Sequence, residues 1–181
     1  MPQKLNLFRP LQHGEREADA WGEGGFGASR GDRLHKGIDF LGTPAERVSC
    51  PCDGVIRRIG RCYGDTDEYK LIEIISGPAW VRVFYANPEV LPGDEVFIGD
   101  ALGYVQDIAA RYPPEKLSRP MLAEYLRGWN VTSLDDLTPK QLNQLRMKNH
   151  IHLEVRLTGA VLIGRGRLST EAVWVDPHLF F

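Results

Sequence analysis

Hydrophobic and polar residues alternate most clearly over residues 150–157, a pattern that predicts a half-buried β-strand. Shorter runs rich in valine, isoleucine and aromatic residues lie before and after it, separated by glycine, proline and aspartate, and these predict further strands. They cover residues 48–59, 70–75, 80–85, 95–98, 161–163 and 172–175. We therefore expect a mainly β protein built from antiparallel sheets.

Residues 109–147 interrupt this pattern and carry signals for helices instead. Thr138 is suited to cap a helix that begins at Pro139, and Gln141 stands where it completes a capping box. A second, earlier helix is predicted in the same segment. We expect one domain over residues 1–181, with a small helical insertion at about 109–147.

Composition and charge narrow the class of protein. Of the 181 residues, 43% are hydrophobic and 25% are charged, which is ordinary for a folded globular protein. The formal net charge of -2 provides no basic field, which argues against nucleic acid and anionic lipid as partners. No stretch approaches the roughly 20 apolar residues of a membrane span, and the opening residues lack the apolar region of a secretory signal. We expect a monomer without a membrane span, and the sequence leaves its localisation open.

The three cysteines, Cys50, Cys52 and Cys62, form an odd set that does not indicate a disulfide framework. Cys50 and Cys52 are two apart on a predicted strand and so share a face. Two interpretations remain, a Cys-x-Cys metal site or two small core residues. No matching pair of cysteine or histidine lies elsewhere, which favours the core.

Two short motifs carry candidate metal ligands, His35-x-x-x-Asp39 and His150-x-His152. Imidazole nitrogen and carboxylate oxygen are ligands that zinc favours, and a catalytic zinc site keeps one position for water. Residues two apart on a strand point to the same face, so His150 and His152 can reach one cleft. Each motif alone also occurs by chance in ordinary core or surface positions, but their combination favours a metal site.

The motifs around these residues resemble those of the lysostaphin-type zinc endopeptidases, which cut peptide cross-links in bacterial cell walls. Residues 26–30 followed by 35–40 are similar to the entry motif of that family, and residues 150–156 are similar to its last motif. The intervening segments and the ending are similar in the same order, namely 51–55, 92–96, 99–103 and Asp176-Pro177. The likeness covers nearly the whole chain except the insertion.

The resemblance implies that His35, Asp39 and His152 bind Zn²⁺, with His150 beside the zinc-bound water as general base or oxyanion-binding group. It also implies the antiparallel lysostaphin-type catalytic fold, similar to a barrel-sandwich hybrid, with a groove for an extended peptide. The implied substrate is peptidoglycan peptide. The reaction would then take place at the bacterial cell wall or periplasm, after export or delivery of the protein.

The sequence departs from that family at Asn87, which stands where the family carries a histidine. An amide donates a hydrogen bond to a developing oxyanion but does not exchange a proton near neutral pH. We therefore hypothesise that Asn87 is an oxyanion donor and that His150 alone transfers protons. This hypothesis predicts a weak or specialised enzyme, in which replacing Asn87 with histidine raises hydrolysis.

The insertion is the second departure, and two interpretations of it remain: a wall or lid of the groove, or a stabilising surface element. Three functions also remain. They are a zinc endopeptidase acting on wall peptide, a weak or inactive relative that binds wall material or regulates another hydrolase, and a zinc hydrolase with a different substrate. The roles of Arg30, Tyr85 and Glu154 are open.

Overall fold

The structure, a computed structural model, describes residues 5–158, 161–163, 167–169 and 173–181. Its strands are β1 (Gly37–Leu41), β2 (Arg47–Ser49), β3 (Gly54–Arg61), β4 (Lys70–Ser76), β5 (Ala79–Phe84), β6 (Ala86–Pro88), β7 (Glu95–Val96), β8 (Ala101–Val105), β9 (His150–Leu157), β10 (Val161–Ile163), β11 (Arg167–Ser169) and β12 (Val173–Val175). The two α-helices are α1 (Arg119–Gly128) and α2 (Pro139–Leu145). Short 3₁₀ turns cover Ile108–Ala110, Pro114–Lys116, Leu134–Asp136 and Pro177–Phe180.

The largest sheet has seven antiparallel strands, in the order β7-β3-β4-β5-β9, and both β1 and β12 pair with the far side of β9. β9 is therefore bonded to β5 on one side and to β1 and then β12 on the other. A smaller sheet has the order β2-β8-β6, and β10 pairs with β11. The expected mainly β, antiparallel architecture is confirmed, and among the described strands no barrel closes.

Alternation along β5 and β9 separates a core face from a second face of the large sheet. Val81, Val83, Leu153 and Val155 are fully buried in the main hydrophobic cluster. That cluster also contains side chains of the smaller sheet, such as Leu102, so the core lies between the two sheets. The intervening residues of β5 and β9 point to the opposite face because side chains alternate along a strand.

The strand predicted over residues 48–59 is divided in the structure into β2 and β3. Pro51 lies in the loop between them, where its missing N–H leaves no gap in a sheet ladder. Cys50 and Cys52 lie in this loop rather than on a strand, and both are free thiols buried in the main cluster. The core interpretation of these cysteines agrees with this position. The predicted strand over 172–175 is observed as β12, and residue 172 lies outside the described residues.

The insertion forms a second, smaller hydrophobic cluster of its own. Thr138 caps α2 in the predicted capping box, with its hydroxyl accepting from the Gln141 N–H. Leu145, at the end of α2, is fully buried. Trp21 packs on this cluster, and its Nε1–H donates to the Leu145 carbonyl at 2.8 Å. These contacts fix the insertion on the segment that precedes β1. Among the described residues, no helix reaches the length and hydropathy that a transmembrane segment needs.

Candidate metal centre

Three candidate ligands converge where β1 meets β9. Asp39 and His152 are direct register partners on these strands, and His35 lies in the loop just before β1. One ligand atom from each of the three side chains lies within 4.8 Å of the others, and all three residues are buried. At Gly37, any side chain would meet the Leu153 backbone and the His152 ring, so this glycine permits the close approach of the two strands.

Each of the two histidines has Asp39 on one ring nitrogen and another partner on the second. His35 Nδ1 lies 2.8 Å from the Gly25 carbonyl, which only accepts, so Nδ1 carries a proton and Nε2 faces Asp39. His152 Nε2 lies 3.2 Å from a Glu154 carboxylate oxygen, and its Nδ1 faces Asp39. Burial lowers the pKa of His152, but the two carboxylates outweigh it and raise that pKa to about 9, so a metal ion at Nδ1 would displace a proton. His35 Nε2 and His152 Nδ1 lie 3.2 Å and 2.8 Å from Asp39 Oδ1.

His150 occupies the neighbouring position on the same face of β9. Its Nδ1 donates to the Lys148 carbonyl at 2.7 Å, and its Nε2 lies 3.6 Å from Asp39 Oδ2. Burial lowers the pKa of His150, despite the opposing effect of the nearby Asp39 carboxylate. A neutral imidazole with an unprotonated Nε2 directed towards Asp39 is suited to accept a proton in the cleft.

Asp39 is held from the other side by an arginine that the sequence did not single out. Arg16 donates from Nε and Nη2 to Asp39 Oδ2 at 3.1 Å and 2.9 Å, and both side chains are 2% exposed. Burial raises the pKa of Asp39, but the surrounding histidines outweigh it and hold that pKa well below its usual value. Because Arg16 binds Oδ2, Oδ1 remains directed towards His35 and His152.

These groups line a cleft of about 480 Å³. Phe84 and Tyr85 both line it although they are consecutive, because Tyr85 has a left-handed backbone with φ of 63° at the end of β5. The Tyr63 hydroxyl donates to that of Tyr85 at 3.1 Å and accepts from that of Tyr112 at 2.9 Å. Tyr112 and Met147 belong to the insertion, so the insertion supplies part of the cleft wall.

Asn87 lies on β6 in the smaller sheet, opposite Tyr104 in register, and its side chain is exposed. It is not among the residues that line the cleft. The structure therefore brings His35, Asp39, His150 and His152 together and leaves Asn87 apart. The role of Asn87 as an oxyanion donor stays a prediction.

Comparison with solved structures places this architecture among known folds. Helicobacter pylori Csd3 aligns with a TM-score of 0.50 and 16% identity, over 98% of this chain and 38% of that chain. The catalytic domain of the antimicrobial peptidase lysostaphin from Staphylococcus simulans aligns with a TM-score of 0.48 and 16% identity, over 86% of this chain and 87% of that chain. The chain shares its fold with Csd3 over nearly its whole length. The catalytic domain of the prophage-encoded protein EnpA from Enterococcus faecalis has a TM-score of 0.46 and 13% identity, over 95% of this chain and 89% of that chain. No protein-family model and no curated protein sequence matches the chain.

The residues present fit the zinc ion that the sequence resemblance implies. With the His152 Nδ1 proton displaced, two imidazole nitrogens and one carboxylate oxygen form the donor set of a three-ligand zinc site with an open position. The carboxylate of Glu154 behind His152 and the carbonyl of Gly25 behind His35 are the kind of outer partners that orient metal-binding histidines.

Proposed function

We propose that this chain is a zinc-dependent endopeptidase that hydrolyses peptide cross-links of bacterial peptidoglycan. The observation that carries the proposal is the convergence of His35, Asp39 and His152, each of which directs a ligand atom to the same point of one cleft beside His150. The lysostaphin-type fold supports it, because lysostaphin is an antimicrobial peptidase. On this proposal, residues 1–181 form one peptidase domain that acts at the cell wall or periplasm after export or delivery.

Each residue of the centre has a distinct part in the proposed reaction. A bound zinc ion supplies a Lewis acid for the scissile carbonyl and lowers the pKa of the attacking water. His35, Asp39 and His152 hold the ion. His150 Nε2 accepts the proton of the attacking water and returns it to the leaving amine, which requires the neutral imidazole that burial favours. The cleft, walled in part by the insertion, holds the peptide in an extended conformation.

A second candidate function is a weak or inactive relative that binds wall material or regulates another hydrolase. The observation that favours it is Asn87, which stands in place of a histidine in the sequence and is exposed on β6 in the structure. A centre that lacks this second proton-transferring group would still bind zinc and peptide. Metal content and turnover therefore have to be measured separately.

The test combines elemental analysis with incubation of the full chain and purified peptidoglycan, with and without a chelator. We expect about one zinc per chain, as in other three-ligand catalytic sites, and peptide release that the chelator abolishes. His150→Ala should retain zinc and lose turnover by about 10²–10⁴-fold, whereas His152→Ala should lose zinc. His13→Ala is the matched control, because His13 is exposed and pairs with Glu46. Bound zinc without peptide release would contradict the peptidase and support the binding function.

A further inference from the structure

The face of the large sheet that carries the metal centre continues along β5 and β9 as three parallel rows of side chains. Residues two apart on a strand share a face, and cross-strand register aligns them. The metal row consists of Asp39, His152 and Phe84. The carboxylate row consists of Glu154, Arg82 and Glu73. The tryptophan row consists of Trp174, Arg156 and Trp80.

The carboxylate row, taken together with the arginines that pair with it, carries more positive than negative charge. Glu73 is fully buried, and it pairs with Arg57, with Arg82 and, at 3.3 Å, with Arg58. Arg82 also lies 3.8 Å from Glu154, so the same arginine is shared by both carboxylates. Three arginines therefore face two carboxylates. The pairs satisfy the carboxylates and leave guanidinium N–H groups available for a further acceptor.

Two more cations lie against the aromatic rings of the tryptophan row: Arg156, which belongs to the row, and Lys36, which lies beside it. The Arg156 guanidinium lies between Trp80 and Trp174, at 5.2 Å and 5.6 Å from the ring centroids. Lys36 lies 5.0 Å above the Trp174 ring. Among the described residues, neither Arg156 nor Lys36 has a carboxylate within ion-pair distance. The Arg156 Nε is buried and has no hydrogen-bond partner in the part of the chain that the structure describes.

This part of the surface contrasts with the rest of the chain. The carboxylate and tryptophan rows, together with Arg57, Arg58 and Lys36 beside them, carry five cations against two carboxylates, while the whole chain has a net charge of -2. Positive charge is therefore in excess on this part of the sheet. A carboxylate is the matching ligand, because planar guanidinium groups bind it through paired, charge-assisted hydrogen bonds.

We propose that the tryptophan row binds a carboxylate of the peptide substrate, an inference that rests on the proposed endopeptidase function. His152 and Arg156 are four residues apart on β9, a separation of about 13 Å in a strand. An extended peptide spans the same distance in about four residues. The recognised carboxylate therefore lies about four residues from the bond that is cleaved, and the substrate class is an acidic peptide.

The experiment compares soluble wall peptides whose carboxylates are free with the same peptides after conversion to primary amides. Binding is measured by calorimetry on the zinc-loaded full chain carrying His150→Ala, so that it needs no turnover. We expect the free-acid peptide to bind about tenfold more tightly, the order of one charge-assisted contact. Adding Arg156→Gln or Lys36→Gln should reduce this preference to less than about twofold.

Arg47→Gln is the matched control, because Arg47 is exposed on β2 in the smaller sheet and the change removes the same charge. It should keep the tenfold preference. Equal binding of the two peptides, or a preference that survives both Arg156→Gln and Lys36→Gln, would overturn the inference. Hydrolysis by the unaltered chain is measured in parallel. A preserved preference without hydrolysis would overturn the proposed peptidase and leave the carboxylate site supported.

Discussion

Arg16 offers the sharpest test of how the metal centre is held, because among the described residues it forms ion pairs with Asp19 and Asp39, whose side chains are both buried. Its guanidinium donates twice to Asp39 Oδ2, lies 2.8 Å from Asp19 Oδ2 and donates to the Gly22 carbonyl. The substitution Arg16→Met keeps much of the side-chain volume and removes all of these interactions. It leaves the buried Asp39 carboxylate with the surrounding histidines and with Arg30, whose guanidinium lies 3.9 Å from Asp39 Oδ2.

Removing one partner of a buried ion pair costs about 3–5 kcal/mol, because the remaining charge stays in a medium of low polarity. The free energy of unfolding of the metal-free protein should fall by that amount. Burial raises the pKa of Asp39, but the surrounding histidines hold it below its ordinary value of 3.8, so Asp39 carries the charge that pairs with Arg16 at any pH above that value. Measurements at pH 7 therefore include the whole contribution of this pair.

The assay is urea unfolding of the metal-free protein, monitored by circular dichroism. The dependence of the free energy of unfolding on urea concentration is compared between variants to check that the unfolding transition is the same. Arg16→Lys keeps the charge but cannot form the paired hydrogen bonds of a guanidinium. Its free energy of unfolding should lie between that of the unaltered chain and that of Arg16→Met. Arg9→Met is the matched control, because Arg9 is 51% exposed and lies 3.7 Å from Glu15, so its loss should change stability by no more than about 0.5 kcal/mol. A loss below about 1 kcal/mol for Arg16→Met would refute the reasoning.

Three further predictions concern single side chains. Glu154→Gln should weaken zinc binding by about 10–100-fold in a chelator competition, because the carboxylate orients His152 through Nε2; unchanged affinity would contradict this role. Leu145→Ala should lower the free energy of unfolding in urea by about 2–5 kcal/mol, because Leu145 is fully buried in the smaller hydrophobic cluster of the insertion; a loss within error would mean that the smaller cluster adds no stability. Asn87→His should raise hydrolysis of purified peptidoglycan if Asn87 is the oxyanion donor of the sequence-based hypothesis; no gain with zinc still bound would contradict that hypothesis and agree with the exposed position of Asn87 outside the cleft.

The sequence predicts β4, β5 and β9 of the large sheet well, because their apolar residues form clear short runs or alternate. It does not predict β1, and residues 150–155 of β9 are buried on both faces rather than half-buried, because β1 and β5 flank this strand. The sequence also predicts that His35, Asp39, His150 and His152 share one site, since two short motifs carry all four residues. These successes share a physical reason. In each, a local spacing is enough to determine which face a side chain occupies.

Other parts of the centre depend on long-range contacts that no local pattern encodes. Arg16 lies in an irregular segment and reaches Asp39 across 23 positions of sequence. Tyr112 reaches Tyr63 across 49 positions, from the insertion to the loop after β3. The departure at Asn87 is visible in the sequence, but its exposure follows from the turn at Tyr85, whose positive φ changes which side chains enter the cleft. Positive φ at a tyrosine has no sequence signal.

On the proposed function, the direct register pairing of Asp39 with His152 couples zinc binding to folding. β1 and β9 are far apart in the chain, so their pairing has to be selected from competing alignments. A slip of one residue would turn His152 towards the core and separate it from Asp39, since side chains alternate between faces. Bound zinc would stabilise only the alignment in which the ligands meet, because an ion that binds the native state alone shifts the equilibrium towards it. Zinc binding would therefore favour the correct register of β1 and β9 before any substrate is bound.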